Sequence, residues 1–582
     1  MSQKNLDNIR HSLAHLLAAA VLRKFPEAKL GIGPVIEDGF YYDFKLPRSL
    51  SPDDLKGFER TMRDLIRQKL PFRGRKTSAA EAKGVFKNQP FKLDLIKEFV
   101  KEKNPLTIYE TGDVFKDLCR GGHVKNTGEI NPDTFMLDRT AGAYWRGDEK
   151  NPQLQRIYGV AFATKKELMD YLKMREEAKK RDHRELGQKL EIFTFSDEVG
   201  AGLPLWLPKG VIIRDELEKW AREIEEAAGY QRVVTPHITK EELYKISGHV
   251  PYYTDDMYSP TEIENEKYYL KPMNCPHHHM IYKSRVRSYK ELPLRFTEYG
   301  QLYRYERSGT LHGLFRTRGF CQNDAHIYVA EKDVIPEFVR VMDMHHYYYK
   351  KLGIKNFKVK LGLRDPKNLR RKYHGDDKMW NKAEKLTKQG LEKARVKYAE
   401  DVGGAAHYGP KGDVIIESVI GKEYAIGTIQ IDLFMPIRFD LSFINEKGEK
   451  ERPVIIHRAP LGSHERMVAF LIEHFAGNFP TWLSPTQVAV LAVSRKHQKY
   501  AEKIYKLLKD RNIRAELTSS DETLGKRIRE AELQKIPYML IVGDKEMKAK
   551  NLSVRERHKD KTASSSIESF LEKITKEITE RK

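Results

Sequence analysis

One segment, Arg295–Ile327, reading RFTEYGQLYRYERSGTLHGLFRTRGFCQNDAHI, constrains the fold more than any other part of the chain. Two strand-like runs flank a bend that carries Ser308, Gly309 and Gly313. Alternate residues of a strand share one face, so Arg304 and Glu306 project together from the first run. Arg316, Arg318, Phe320, Gln322 and Asp324 follow on the second. The segment predicts an antiparallel hairpin that gathers cations and acceptors on one surface. A carboxylate attacking the α-phosphate of ATP builds negative charge that fixed cations and magnesium must stabilise. Arg304 and, further on, Arg466 in GSHERM suit that task, and Phe320 offers a flat face to adenine with an arginine opposite. No GxxxxGK[ST] loop is present, so the P-loop solution is absent.

The remaining pattern predicts a multidomain α+β protein. Residues 1–164 mix helix (Asn8–Leu22) with strand (Gly39–Phe44). Lys165–Lys189 is dense in Lys, Arg and Glu and reads as a charged linker helix. From 190 to 483, strands are expected at Arg232–Pro236, Lys267–Lys271, Arg295–Arg304, Phe320–Ile327, Val414–Ile420, Ile426–Phe434 and Arg438–Phe443. Helices are expected at Arg214–Ala228, Ile335–Leu352 and Arg466–Glu473. Short turns between strands favour antiparallel pairing. In 484–582 strands alternate with helices (Val488–Val493, Gln498–Arg511, Ile513–Leu517, Tyr538–Val542, Ile567–Ile578), which predicts a small α/β domain.

A total of 105 Lys and Arg against 83 Asp and Glu leaves a net charge of +22. Spread along the chain, that charge favours a polyanionic partner, RNA or DNA. Cys119, Cys275 and Cys321 include no close pair, which argues against a disulfide framework and for a reducing cytoplasm. No signal peptide is visible, and no apolar run approaches the ~20 residues of a membrane helix. Two further groups carry chemistry. His11 and His15 in HSLAH lie i,i+4 on one helix face, and Cys119 and His123 lie in DLCRGGH, where the glycines suggest a bend. Such a quartet suits either zinc or a held water.

The hairpin resembles motif 2 of the class II aminoacyl-tRNA synthetases. Leu461–His474 (LGSHERMVAFLIEH) resembles their motif 3, and Gly229–Ile238 (GYQRVVTPHI) their motif 1, with Pro236 as its proline. KPMNCPHHHMIYKS, LHGLFRTRGFCQNDAHI, HYGPK, GTIQIDL and IIHRAPLGSHER resemble, in order, blocks of the threonyl family within that class. The resemblance covers nearly the whole chain. It implies a class II antiparallel-sheet core (190–483), an N-terminal editing domain (1–164) of the kind shared by threonyl- and alanyl-tRNA synthetases, and a C-terminal anticodon-binding domain (484–582). A chain starting at the editing domain, without the ubiquitin-like β-grasp domain that many bacterial relatives carry ahead of it, is expected.

The resemblance implies roles for particular residues. Cys275, His326 and His457 align with zinc ligands, one ion per subunit, although their local spacing is no zinc signature. Met273, Gln322, Asp324, Tyr408 and Ser463 would line the threonine pocket. Arg304 and Arg466 would be catalytic, and Glu306, Arg316, Phe320, Thr428 and Gln430 would serve ATP with Mg2+. His249 or His312 would assist proton transfer. Zinc chelation of amine and hydroxyl rejects valine but not serine, whose missing methyl is worth only ~1–3 kcal/mol. A hydrolytic second site is therefore expected, with Lys92 and Asp117 joining His11, His15, Cys119 and His123 in metal-free acid/base handling of water. Glu546 and Arg555 would read anticodon bases. The partners implied are tRNA(Thr), ATP, L-threonine and a second copy of the chain. The sequence departs from the family at Ala425, where glutamine is usual, at His407, where phenylalanine is common, and at Asn323, where aspartate is frequent. A zinc-dependent ester or amide hydrolase built on HSLAH and DLCRGGH, or an inactive RNA-binding regulator, are the rival readings.

Overall fold

The computed structural model describes residues 2–148, 150–368, 373–418 and 421–582. They form two compact units, Met1–Glu176 and Glu177–Lys582.

In the first unit, α1 (Gln3–Lys24) opens on Ser2, whose side chain accepts from the Asn5 N–H. That contact satisfies one of the unpaired donors at a helix start. Ser12 through Val21 is buried on every side, so the helix is a core element rather than a surface one. It packs with α2 (Pro52–Arg67) against an antiparallel sheet whose main strands are β1 (Gly39–Lys45), β5 (Phe135–Tyr144) and β6 (Gln153–Ala161). A smaller antiparallel sheet joins β2 (Phe72–Lys76), β3 (Thr107–Thr111) and β4 (Phe115–Leu118). Between β2 and β3 runs α3 (Pro90–Lys101). The expected single linker helix is two: α4 (Lys165–Arg181) and α5 (His183–Lys189). Asp182 leaves helical geometry to cap α5, accepting from the Arg184 N–H.

The second unit is built on an eight-stranded sheet. Following α6 (Pro208–Ala227), its strands are β7 (Gln231–Arg232), β8 (Leu294–Tyr303), β9 (Gly319–Val329), β10 (Lys358–Leu363), β11 (Tyr398–Val402), β12 (Lys411–Glu417), β13 (Glu423–Asp432) and β14 (Val454–Ala459). Their spatial order is β7-β8-β9-β14-β13-β12-β10-β11. The inner pairs are antiparallel and only the two edge pairs are parallel. Helices α7 (Val334–Lys351) and α8 (His464–His474) cover one face, where Ala325, Ile327, Val329, Ile429, Ile431 and Ile456 enter the main core. The alternate residues face the other way and build the site. A five-stranded sheet follows, in which β15 (Val488–Ala492), β16 (Ala515–Leu517) and β17 (Tyr538–Val542) run parallel. The strands β18 (Asn551–Glu556) and β19 (Ala563–Ser566) add antiparallel.

The predicted strands at Arg232–Pro236 and Arg438–Phe443 are corrected. The first pairs only over Gln231–Arg232. In the second, Met435–Arg438 is a helical turn started by Asp432, whose carboxylate accepts from the N–H groups of Phe434 and Met435. Val419 and Ile420, at the end of another predicted strand, lie outside the described residues. Strands β10, β11 and β14 escaped the pattern. β14 is buried at every position and so shows no alternation to read.

Under the sheet, Arg458 is wholly buried, its guanidinium 2.8 Å from Glu225 Oε1. Glu225 also accepts from Asn323 and Thr297. Removing one partner of a buried ion pair strands the other charge. Glu225→Leu is therefore expected to destabilise the second unit by about 3–5 kcal/mol, read as a lower urea midpoint. An unchanged midpoint would contradict the pair's role.

Candidate active site and editing centre

The hairpin β8–β9 places Phe320, Gln322, Asp324 and His326 on the open face of the sheet. Strand register then does the assembly. His326 stands opposite Phe296 on β8 and His457 on β14; His457 stands opposite Gln430 on β13; Gln430 stands opposite Lys411 on β12. One transverse row of the sheet thus delivers His326, His457, Gln430 and Lys411 to a cavity of about 440 Å³. The helix Cys275–Lys283 brings Cys275 to the same cavity from its first residue, with Pro276 in the first turn. Potential ligand atoms of Cys275, His326 and His457 all lie within 4.8 Å of one another, and all three residues are buried.

Hydrogen bonds behind the two imidazoles decide which nitrogen faces forward. Burial opposes ionisation of Glu298, yet bonds from His278 and the Thr235 N–H, with the charge of Lys271, bring its pKa down to about 2. A carboxylate only accepts, so His278 Nε2, 3.1 Å away, donates to it. His278 Nδ1 must then accept from His326 Nδ1 at 2.8 Å. That leaves the His326 Nε2 lone pair for the cavity. Asp432 Oδ2 likewise accepts a hydrogen bond from His457 Nε2 at 3.0 Å, leaving Nδ1 bare. Burial, reinforced by mutual repulsion, holds His326 well below the usual imidazole range. Burial and the nearby Asp324 and Asp432 push the Cys275 thiol well above its usual value. A buried thiol beside two carboxylates, faced by two imidazole lone pairs, fits a thiophilic dication with an open position.

Asp324 accepts from Asn274 Nδ2 at 3.0 Å. Asn274 fits there because Gly300 has no Cβ: one would fall 2.2 Å from the Asn274 side chain. Tyr408 lies over His457, ring centroids 5.0 Å apart, and donates to Gln430, which donates to Thr428. Met273 lines the cavity and touches His249.

A second cavity, about 230 Å³, shares Arg304, Gln322, Lys411, Thr428 and Gln430 with the first. Arg304 lies over the Phe320 ring at 5.1 Å. Arg316 pairs with Glu306 at 2.8 Å. Arg466, from the first turn of α8, is held by the carbonyls of Phe315 (3.2 Å) and Ala425 (2.8 Å). Burial and the Arg304 and Arg316 charges lower its pKa, the signature of cations gathered before their anion arrives. Ser463 caps α8 and accepts from the Arg466 N–H at 3.2 Å. The Ala425 contact with Arg466 is made by backbone and does not depend on the side chain, while alanine offers no polar side-chain group where a glutamine is usual. Of the two expected proton-transfer groups, His312 borders neither cavity and bonds Tyr424; His249 sits buried behind Met273, its pKa driven down by burial to about 3.

In the first unit, His11, His15, Cys119 and His123 converge within 4.8 Å. Gly121 (φ +95) and Gly122 (φ +88) make the bend that brings His123 back, a conformation that favours glycine. Cys119 Sγ lies 3.4 Å from His11 Nε2 and 3.3 Å from His123 Nε2. Lys92, buried on α3, meets Asp117 at 2.5 Å, and Asp117 lies 3.8 Å from His15. All six residues singled out in this unit are therefore in one place. Sequence reasoning missed the part played by Tyr42, whose hydroxyl donates to Asp117 at 2.6 Å, and by Ser12, 3.2 Å from His123 Nδ1. Tyr42 sits within the predicted strand and Ser12 follows His11 directly, so position alone could have raised them. Burial lowers the pKa of His11, His15 and His123 and pushes the Cys119 thiol up to about 12.

Glu546 and Arg555 do not share a cavity. The Glu546 carboxylate accepts from the Gly543 N–H beyond the end of β17, and Arg555 pairs near the start of that strand. Arg555 bonds the Lys559 carbonyl and Glu532 and borders a cavity of about 200 Å³ lined by basic and acidic side chains alike.

A largely antiparallel sheet of this order, with an arginine-bearing hairpin set against the arginine of helix α8, defines a class II aminoacyl-tRNA synthetase. Comparison with known proteins agrees. The profile of the tRNA synthetase class II core domain (G, H, P, S and T) matches residues 258–475, the anticodon binding domain 487–577, and the threonyl and alanyl tRNA synthetase second additional domain 106–158. A threonine–tRNA ligase of Thermus thermophilus is 47% identical over 588 residues, covering 98% of this chain and 89% of that protein. That of Deinococcus deserti is 47% identical over 555 residues, covering 94% and 85%. A crystal structure titled as the RNA binding domain of threonyl-tRNA synthetase from Cryptosporidium parvum matches with a TM-score of 0.64 and 35% identity, covering 68% of this chain and 98% of that one. The chain belongs to the threonine–tRNA ligase family. It joins threonine to tRNA with cleavage of ATP and carries the editing domain of that family. The hydrolase and regulator readings are set aside. No helix among the described residues is long and apolar enough to cross a membrane.

His15 and His123, held well below the usual imidazole range by burial, stay neutral through mild acid. Deacylation of seryl-tRNA is expected to hold steady between about pH 7 and 6 instead of halving near the ordinary imidazole value of about 6.5. The rate should fall only at lower pH. A rate profile with its inflection near that ordinary value would contradict the burial of these rings.

Proposed function

We propose that Cys275, His326 and His457 hold one zinc ion per subunit, and that this site selects threonine. The observation that carries the reading is the pair of bare imidazole nitrogens, fixed by Asp432 and by the Glu298–His278 relay, beside a buried thiol. Zinc held there would supply a Lewis-acid position for the substrate's amine and hydroxyl. The chain's own groups then do the positioning. Asp324 accepts the hydroxyl's hydrogen, and a site built to bond a hydroxyl rejects an analogue lacking it by roughly 10⁴ or more. Met273, Gln322 and Tyr408 bound the pocket, whereas Ser463, expected beside them, borders the second cavity instead. Arg304 borders both cavities, so it would hold the threonine carboxylate and the α-phosphate together. Arg466 and Arg316 neutralise the polyphosphate with Mg2+, and Phe320, Glu306, Thr428 and Gln430 position the nucleotide.

In the editing centre, a neutral imidazole of His11, His15 or His123 takes a proton from water attacking the seryl ester. The Lys92–Asp117 pair orients His15. Glu546 and Arg555 would contact the anticodon from separate sides of the C-terminal sheet. We further read the enzyme as a cytoplasmic homodimer: Val234, in the motif-1-like segment, is 80% exposed, and all three cysteines are free. Domain bounds of 1–164, 165–189, 190–483 and 484–582 accompany this reading.

Cys275→Ser is expected to abolish stoichiometric zinc and threonine-dependent ATP–pyrophosphate exchange together, while seryl-tRNA deacylation persists. Full exchange in a zinc-free variant would overturn the site. His278→Leu removes the acceptor for His326 Nδ1 and should weaken zinc binding about 10–100-fold, measured by competition with a chromogenic chelator. Unchanged affinity would refute the relay.

A further inference from the structure

His183 lies at the first residue of α5, outside both cavities, and is completely buried. Its Nδ1 is 2.8 Å from Glu473 Oε1, at the far end of α8. Its Nε2 is 3.2 Å from the backbone N of Leu314, in the bend between β8 and β9. The pattern allows one assignment: Nδ1 donates to the carboxylate and Nε2 accepts from the amide. Asp182, His183 and Glu473 lie close enough for a metal, but both imidazole nitrogens are already committed to these bonds.

The bend fits around this ring. Gly313 has φ +50, and a Cβ there would come 2.2 Å from His183 Nε2. Phe315 sets its ring edge-on to the imidazole, centroids 4.8 Å apart. The Phe315 carbonyl holds Arg466 Nε, and Arg316 follows directly. Helix α8 contributes Arg466 at one end and Glu473 at the other. His183 therefore pins the hairpin bend to the same helix whose arginine must face it.

We propose that His183 is a positioning residue for adenylate formation. It fixes the Arg316-bearing bend against α8 so that Arg316 and Arg466 are spaced for the ATP polyphosphate. The inference rests on the reading that these two arginines serve ATP. Electrostatic stabilisation of this kind depends on donors held in place before the reaction, and small misplacements are costly. The residue touches no substrate, and the threonine cavity shares no contact with it.

The test is threonine-dependent ATP–pyrophosphate exchange on the full chain. His183→Ala should raise KM for ATP about tenfold and leave KM for threonine within about twofold. Seryl-tRNA deacylation should be unchanged. His183→Gln, whose amide carries both a donor and an acceptor, should return KM for ATP to within about threefold of the parent. Gly313→Ala, which forces the bend off an intact imidazole, should reproduce the His183→Ala defect. Arg466→Ala is the control: if it leaves KM for ATP unaltered, the underlying assignment of the arginines fails. If it raises that KM while His183→Ala and Gly313→Ala do not, the proposal fails alone. Equal impairment of ATP and threonine KM in His183→Ala, without rescue by Gln, would reduce the residue to packing and also overturn it.

Discussion

Antiparallel pairing of β9 with β14 puts His326 opposite His457, and the amino-acid pocket depends on that register. A one-residue slip of either strand would turn its imidazole into the apolar core and bring Ile327 or Ile456 to the cavity in its place. The core prevents it. Ala325, Ile327 and Val329 alternate with the functional side chains along one strand, so burying the apolar set fixes the polar set. Hydrophobic packing on one face of the sheet thus sets ligand placement on the other. The hydrogen bonds behind the imidazoles add what packing cannot: they choose the tautomer. Neither Asp432 nor Glu298 reaches the cavity as a ligand, yet together they determine which nitrogen does.

The ATP-facing cavity works by the opposite electrostatic logic. There the protein assembles like charges. Burial and the Arg304 and Arg316 charges make Arg466 costlier to ionise, and carbonyls, an aromatic face and Glu306 hold the three where they are. That arrangement is unfavourable by itself and becomes favourable with a polyanion between the side chains. Arg304 belongs to both cavities, and this makes one guanidinium the geometric link between amino acid and nucleotide.

Much of this was legible in the sequence because it rests on local period. The hairpin's alternation gave β8 and β9 and the facing of Phe320, Gln322 and Asp324, but Arg304, Glu306, Arg316 and Arg318, expected on the same runs, lie beyond the strand ends at Tyr303 and Gly319. HSLAH gave two rings on one helix face. What escaped had a physical reason. Strand β14 is buried throughout, so its apolar run carries no period. The run from Arg438 to Phe443 looked extended, but the Asp432 carboxylate recruits two backbone amides and starts a helical turn ahead of it. The break at Asp182 was hidden inside a charged stretch with good helical character on both sides; only the cap at Asp182 reveals it. Convergence of Cys275 with His326 and His457 required a resemblance to be anticipated, because the three come from a helix start and two strands far apart in the chain. The long-range hydrogen bonds of His278 and His183 had no sequence signal.

The Ala425 carbonyl, which helps to hold Arg466, has a bearing on how such chains diverge. A contact donated to the main chain is indifferent to the identity of the residue that supplies it. Mutational drift at this position therefore leaves the main-chain hold on Arg466 untouched, whatever it does to side-chain contacts.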